Sequence, residues 1–153
     1  IHCYTGSQPM VDAPRGPLER SRAGGVSMVP TTTSATKLVG KVLPQLEGKI
    51  SGAAVRVPAI SVSAVDLTVT LAQPVKAPFN DRLLEIFSGN PVIGFVRDRV
   101  GSTDMRARQE SLVIHLPETL EANDYQVRIF GWYDNEWGFS ARMIDMARLM
   151  AGR

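Results

Sequence analysis

The chain has 153 residues, 44% hydrophobic and 21% charged, enough for one domain with a substantial core and unlike disordered tails, collagenous chains or disulfide scaffolds. Seventeen basic against fifteen acidic residues leave a formal charge of +2, and without a long basic run there is no electrostatic footprint for nucleic acid or an anionic membrane. Cys3 is the only cysteine, which excludes an internal disulfide and a cysteine-rich zinc site, leaves no metal expected, and makes a reducing, cytoplasmic compartment the default.

The sequence opens on Ile1-His2-Cys3-Tyr4-Thr5, which reads as the end of a strand. No apolar run is long enough to span a bilayer, so the chain is expected to be soluble and part of a longer polypeptide. Residues 6–27 carry Gly6, Pro9, Pro14, Gly16, Pro17, Gly24 and Gly25 without a sustained period; they predict a long ordered loop of the kind that serves function or an interface. Ser34 to Leu46 repeats Leu38, Val42 and Leu46 every four residues, as on a helix face, with Thr33 or a neighbour as N-cap.

Ala53 to Val57 reads as a strand broken by Pro58. In Val62 to Leu71, Val65, Leu67, Val69 and Leu71 alternate with Asp66, Thr68 and Thr70, predicting a strand with one apolar and one wet face. Phe79 to Phe87 has helical spacing. Pro91 to Arg97, Leu112 to Leu116 and Tyr125 to Tyr133 predict further strands, with His115 on a polar, solvent-facing side. Ser140 to Met150 closes as a helix striped by Met143, Ile144, Ala147 and Met150. Strands grouped with a few helices indicate an α+β fold, a largely antiparallel or mixed sheet with helices on one face.

Several residues offer chemistry. His2, at a strand end beside a loop, can be a general base or a hydrogen-bonded structural histidine. Cys3 reads as buried filler, because neighbours in a strand point to opposite faces and His2 is therefore not set to deprotonate it. Thr31, Thr32 and Thr33 stand where a helix begins and can hold a phosphate or simply cap. Arg56, between Val55 and Val57, needs an anion or solvent, and Arg20 and Arg22 in the loop can be solvated. Trp132-Tyr133-Asp134-Asn135-Glu136-Trp137-Gly138-Phe139 concentrates aromatic and amide groups at a strand-to-helix turn, where Asp134 or Asn135 can be an N-cap.

In order and separation, Ile1 to Thr5, Val29-Pro30-Thr31-Thr32-Thr33, Arg56-Val57-Pro58, Val62 to Leu67 and Trp132 to Gly138 resemble the C-terminal, catalytic domain of phosphorylating glyceraldehyde-3-phosphate dehydrogenase. The match runs along nearly the whole chain and is poorest from about Asn90 to Asn123. The resemblance implies that His2 activates a cysteine thiolate and takes the proton as a hemithioacetal loses hydride. It implies that Thr5 and Arg56 bind the substrate's phosphate and that Thr33 and Arg20 hold the attacking inorganic phosphate. Asn135 would fix the nicotinamide carboxamide, with Phe139 beside it where the family commonly has tyrosine. Residues 6–26 would be the loop that packs against a neighbouring subunit of a tetramer.

On the same resemblance, residues 1–153 are a catalytic-domain fragment. The nucleophilic cysteine and the domain that mainly binds NAD or NADP would lie upstream, so the fragment alone is expected to be inactive. The intact enzyme would oxidise and phosphorylate glyceraldehyde 3-phosphate to 1,3-bisphosphoglycerate, in glycolysis or gluconeogenesis. There are departures: Ser34 stands where glycine is usual, and Asp104 to Glu110 differs from a serine-rich segment ending in aspartate. Two rival readings are erythrose-4-phosphate dehydrogenase, which spends its thioester on water, and a non-catalytic homologue kept for binding or assembly.

Overall fold

The computed structural model covers residues 1–75 and 78–152 in two compact units, Ile1–Ile60 and Ser61–Arg153. The first is built on a sheet of three short strands. β1 (His2–Cys3) runs parallel to β3 (Ala54–Val57), which pairs antiparallel with β2 (Val29–Thr31). The order β1-β3-β2 leaves β2 at an edge, where Pro30, lacking an N–H, is tolerated.

Residues 6–27 form the expected long loop, interrupted by one helical turn, α1 (Leu18–Ser21). The loop is fastened to itself. Ala13 N–H donates to the Ser21 carbonyl at 2.9 Å and Gly24 N–H to that of Pro9 at 3.0 Å. Asp12 accepts from the Ala23 amide at 2.9 Å and from Arg22. These bonds, the Ala23 amide foremost, hold the Asp12 carboxyl below the usual carboxylate range.

Helix α2 (Ala35–Val42) is shorter than its periodicity suggests. Pro44 disfavours helical backbone at Leu43, whose φ and ψ are −126° and 78°, and a separate 3₁₀ turn then spans Pro44–Leu46. Leu46 is thereby lost from the α2 face.

The second unit is an α+β assembly around a mixed sheet with strand order β4-β8-β6-β5. β4 (Ser63–Thr70) pairs antiparallel with β8 (Gln126–Tyr133) over its full length. β6 (Leu112–His115) is antiparallel to β8 and parallel to β5 (Ile93–Val96). β7 (Leu120–Asn123), which the sequence does not announce, pairs with the start of β8. β4 begins one residue later than its alternation suggests because Val62 has φ 69°, left-handed backbone that cannot continue a strand.

Helix α3 (Phe79–Ile86) covers one face of the sheet, where Leu83 packs with Ile114 and Leu116 and is flanked by Phe95, Leu112 and Ile129. The opposite face is closed by the crossover from β5 to β6, through Val62, Met105, Val113, Val100 and Trp132. The apolar face of β4 differs from expectation: Val65 and Leu67 are each 42% exposed. They lie on the edge strand, beyond the contacts that α3 makes with β5, β6 and β8.

The expected solvent-facing position of His115 is overturned as well, since the residue is only 3% exposed. Its strand face is the polar one by pattern, but the crossover loop covers it. Helix α4 (Asn135–Met150) starts five residues before the predicted Ser140, because Asp134 caps it upstream of the apolar stripe.

Candidate active site

Strand pairing in the first unit sets three side chains in a row. His2 is the cross-strand partner of Arg56, and Arg56 is the partner of Val29. Register partners share a face and residues two apart return to it, so His2, Arg56, Val29 and Thr31 project from the same side of the sheet.

His2 Nδ1 is 2.6 Å from the carbonyl oxygen of Cys3. A carbonyl only accepts, so the proton sits on Nδ1 and the lone pair on Nε2. The imidazole therefore presents Nε2 as its basic atom. Cys3 Sγ is 3.8 Å from His2 Nδ1, so the two side chains are closer than strand alternation alone suggests. The nitrogen that approaches the sulfur carries the proton, however, and His2 is not poised to deprotonate Cys3. The cysteine is 2% exposed, in keeping with a buried filler.

Arg56 Nη1 donates to Ser7 Oγ at 2.7 Å, and Ser7 Oγ lies 2.9 Å from Thr5 Oγ1. Thr5 and Arg56 are thus joined through a serine that the sequence reading passed over. Gln8 is buried, its backbone N–H donates to the Thr5 carbonyl at 2.9 Å, and the close approach of Gly24 to Tyr4 and Gln8 pins the segment from behind.

Arg56 and Ser7 open onto a cavity of about 720 Å³ that Arg20, Glu19, Thr31 and Thr32 also line. The two guanidinium groups and three hydroxyls form a donor set suited to an anion, and Glu19 is the one carboxylate among the lining residues. Thr33 lies outside this lining. Its Oγ1 accepts from the Ala35 amide at 3.1 Å, capping the start of α2. Of the four phosphate-contact candidates, Arg20 and Arg56 share the cavity, Thr5 joins through Ser7, and Thr33 accepts from the helix start with its hydroxyl hydrogen left to donate.

Asn135 and Phe139 belong to the second unit, in the first turns of α4. Asp134 Oδ1 accepts from the amides of Glu136 and Trp137 at 3.2 and 3.1 Å, and Oδ2 accepts from Ala107 at 2.9 Å. Burial raises the Asp134 carboxyl, but these amides outweigh it and hold the group below the usual carboxylate range. The cap fixes the backbone on which Asn135 sits. Trp137 and Phe139 follow it on the same helix and are half-exposed or more. A side-chain amide can donate to and accept from a carboxamide, and apolar rings suit a nicotinamide face, so these residues fit that part of a dinucleotide.

The family model for the C-terminal domain of glyceraldehyde 3-phosphate dehydrogenase matches residues 1–135. The chain belongs to this family. Relatives are similar along the whole of it. A glyceraldehyde-3-phosphate dehydrogenase of Pseudomonas aeruginosa is 43% identical over 99% of this chain and 45% of its own length. One of Cereibacter sphaeroides is 42% identical over 98% and 46%. A cytosolic form of Hordeum vulgare is 39% identical over 98% and 50%. The chain spans about half the length of the curated relatives it matches. Cytosolic and chloroplastic forms both occur among the similar proteins. Among the described residues no helix is long and apolar enough to cross a membrane.

Proposed function

We propose that the chain is the catalytic portion of a phosphorylating aldehyde-phosphate dehydrogenase that uses NAD or NADP, with glyceraldehyde 3-phosphate as substrate and inorganic phosphate as co-substrate. The observation that carries this reading is the Arg56–Ser7–Thr5 chain of contacts beside a cavity lined by Arg20, on the sheet that also carries His2.

On this reading the aldehyde is held as a hemithioacetal on a cysteine thiolate supplied by residues outside this sequence. His2 Nε2 takes the hydroxyl proton as the carbon gives up hydride, which the nicotinamide accepts when bound. Inorganic phosphate then attacks the thioester carbonyl, releasing the thiolate and leaving an acyl phosphate. Arg56, Ser7 and Thr5 hold the substrate's own phosphate, and Arg20 with Thr31, Thr32 and Thr33 holds the attacking one. The threonine and arginine lining of the cavity supports phosphate over water as the acceptor. Asn135 and Phe139 meet the nicotinamide, whose nucleotide portion is held mainly elsewhere. Cys3 has no part in the chemistry, so the 153-residue chain by itself does not turn over. The working enzyme is a cytoplasmic homo-tetramer in which residues 6–26 face a neighbouring subunit.

Phosphate binding tests the anion sites directly. Titrating the chain with inorganic phosphate by ³¹P NMR should give saturable binding that Arg56→Ala and Arg20→Ala each weaken, by about 10-fold or more for the loss of a charge-assisted contact. Binding that neither substitution changes overturns the assignment.

A further inference from the structure

Two fastenings join residues 97–110, the crossover between β5 and β6, to the corner where β8 turns into α4. The first passes through buried His115. Its Nε2 is 3.0 Å from the Asp98 carbonyl oxygen, and Trp132 Nε1 donates to its Nδ1 at 3.2 Å. An indole N–H only donates and a carbonyl only accepts, so His115 is the neutral tautomer with hydrogen on Nε2. The second is Asp134, whose Oδ2 accepts the Ala107 amide while Oδ1 caps α4. Ala107 is held at φ 63°, a left-handed conformation that alanine adopts at a cost.

We propose that residues 97–110 are latched to this corner by links that acid opens in two steps: protonation of His115 breaks its bond to Trp132 while the Asp98 carbonyl stays bonded, and protonation of Asp134 at lower pH frees Ala107. A protonated imidazole carries hydrogen on both nitrogens. Its Nδ1–H then meets the Trp132 N–H head-on, and that hydrogen bond is lost. The Asp98 carbonyl still accepts from Nε2, so the ring stays with the loop and the indole moves. A protonated Asp134 loses the charge that its three amides stabilise, and Ala107 relaxes to ordinary backbone. The Asp134 carboxyl is held below the usual carboxylate range, which places its step last.

The charged groups on the surrounding elements leave this order in place. Beside His115, Arg128 is paired with Asp66 and Glu118 and lies over the Phe130 ring, 5.1 Å from its centroid. Asp104 is engaged by the Gly101 amide at 2.8 Å, and Arg97 and Arg99 flank Asp98 as exposed residues. Beside Asp134, Arg106 donates to Ser61, Arg108 pairs with Glu110, and Glu136 is exposed. The inference does not depend on the proposed activity, but its consequence falls on Asn135, which follows Asp134 directly.

The test uses the 153-residue chain carrying Trp137→Phe, which leaves Trp132 as its single tryptophan. Between pH 8 and 5 its emission should fall and shift to the red, reversibly, while far-UV circular dichroism stays constant. His115→Gln, which can still accept from Trp132 and donate to Asp98 but does not titrate, should be flat. A flat parent, the same transition in His115→Gln, or a parallel change in circular dichroism overturns the proposal. ¹⁵N NMR of the His115 ring at pH 8, which needs no variant, should show hydrogen on Nε2, and hydrogen on Nδ1 refutes the bridge. The Ala107 amide should remain protected from exchange at pH 5 and lose protection only below the ordinary carboxylate range, because Asp134 is held beneath it; loss together with the His115 step refutes the two-step order.

Discussion

Replacing Asp134 separates two jobs that one carboxylate performs. Asp134→Ala removes the N-cap of α4, a loss of about 1 kcal/mol, and the buried charge-assisted bond to the Ala107 amide, a further 1.5–3 kcal/mol or so. The expected destabilisation is roughly 2.5–4 kcal/mol. Asp134→Asn keeps one oxygen for the cap but puts an NH₂ group against the Ala107 N–H, so it should cost the smaller sum, roughly 1.5–3 kcal/mol. Urea unfolding followed by tryptophan emission reads the relevant part of the molecule, because Trp132 and Trp137 both lie in the second unit. The carboxyl is held below its ordinary range in the fold, so its contribution is complete above the unfolded value near pH 4 and disappears as pH falls through the folded value. The gap between wild type and Asp134→Asn should therefore be full at pH 7 and shrink below about pH 4. An alanine variant within 1 kcal/mol of wild type, an asparagine variant as costly as alanine, or a gap unchanged down to pH 2 would refute the reasoning.

Gly131, central in the sheet, offers a sharper packing test: a Cβ there would lie 2.7 Å from Leu112 Cδ1 and 3.3 Å from the Val113 carbonyl oxygen. Gly131→Ala should cost about 1–3 kcal/mol by overpacking, and an unchanged urea midpoint would show that the sheet gives way freely. On α4, Met143 and Ile144 are more than half exposed and Met150 is 82% exposed, an apolar surface of the kind that finds another chain. Light scattering on the purified 153-residue chain should show self-association, and a monodisperse monomer at high concentration would contradict this.

What the sequence discloses tracks how local the cause is. The strand from Ser63, the helix from Phe79 and the strand ending at Tyr133 were legible because alternation and helical spacing are properties of consecutive residues. β7 was not, because Leu120-Glu121-Ala122-Asn123 has no alternation of its own and is a strand only by pairing with β8. His115 was misread for the same reason: alternation assigned it a face, but a loop from elsewhere in the chain decides whether that face is wet. In the site, the resemblance supplied His2, Thr5, Arg56 and Arg20. Ser7 became visible only when the fold brought it to Arg56 across 49 residues. The amide that the Thr33 hydroxyl accepts is likewise visible only in the fold.

The two anion positions proposed here rest on unequal foundations, and this bears on how they would act. Arg56 projects from the middle strand of a sheet, held by pairing on both sides, and its guanidinium is already engaged by Ser7, itself bonded to Thr5. A substrate phosphate entering there meets donors whose ordering cost is largely met in advance, since side chains on strands are held more closely than those on loops. Arg20 sits on a four-residue helix in a loop, where its backbone is tied by its own amide to Pro17 and through Ser21 to Ala13 and Arg15, while its side chain is exposed. Its side chain must be ordered by whatever it binds. A site that pays this entropy at binding is weaker for the same number of contacts. On the proposed function, this ranks the two ions: the phosphate carried on the substrate would be held by a preformed cradle, and the free phosphate, which has only to arrive, attack and leave as part of the product, by the adaptable one.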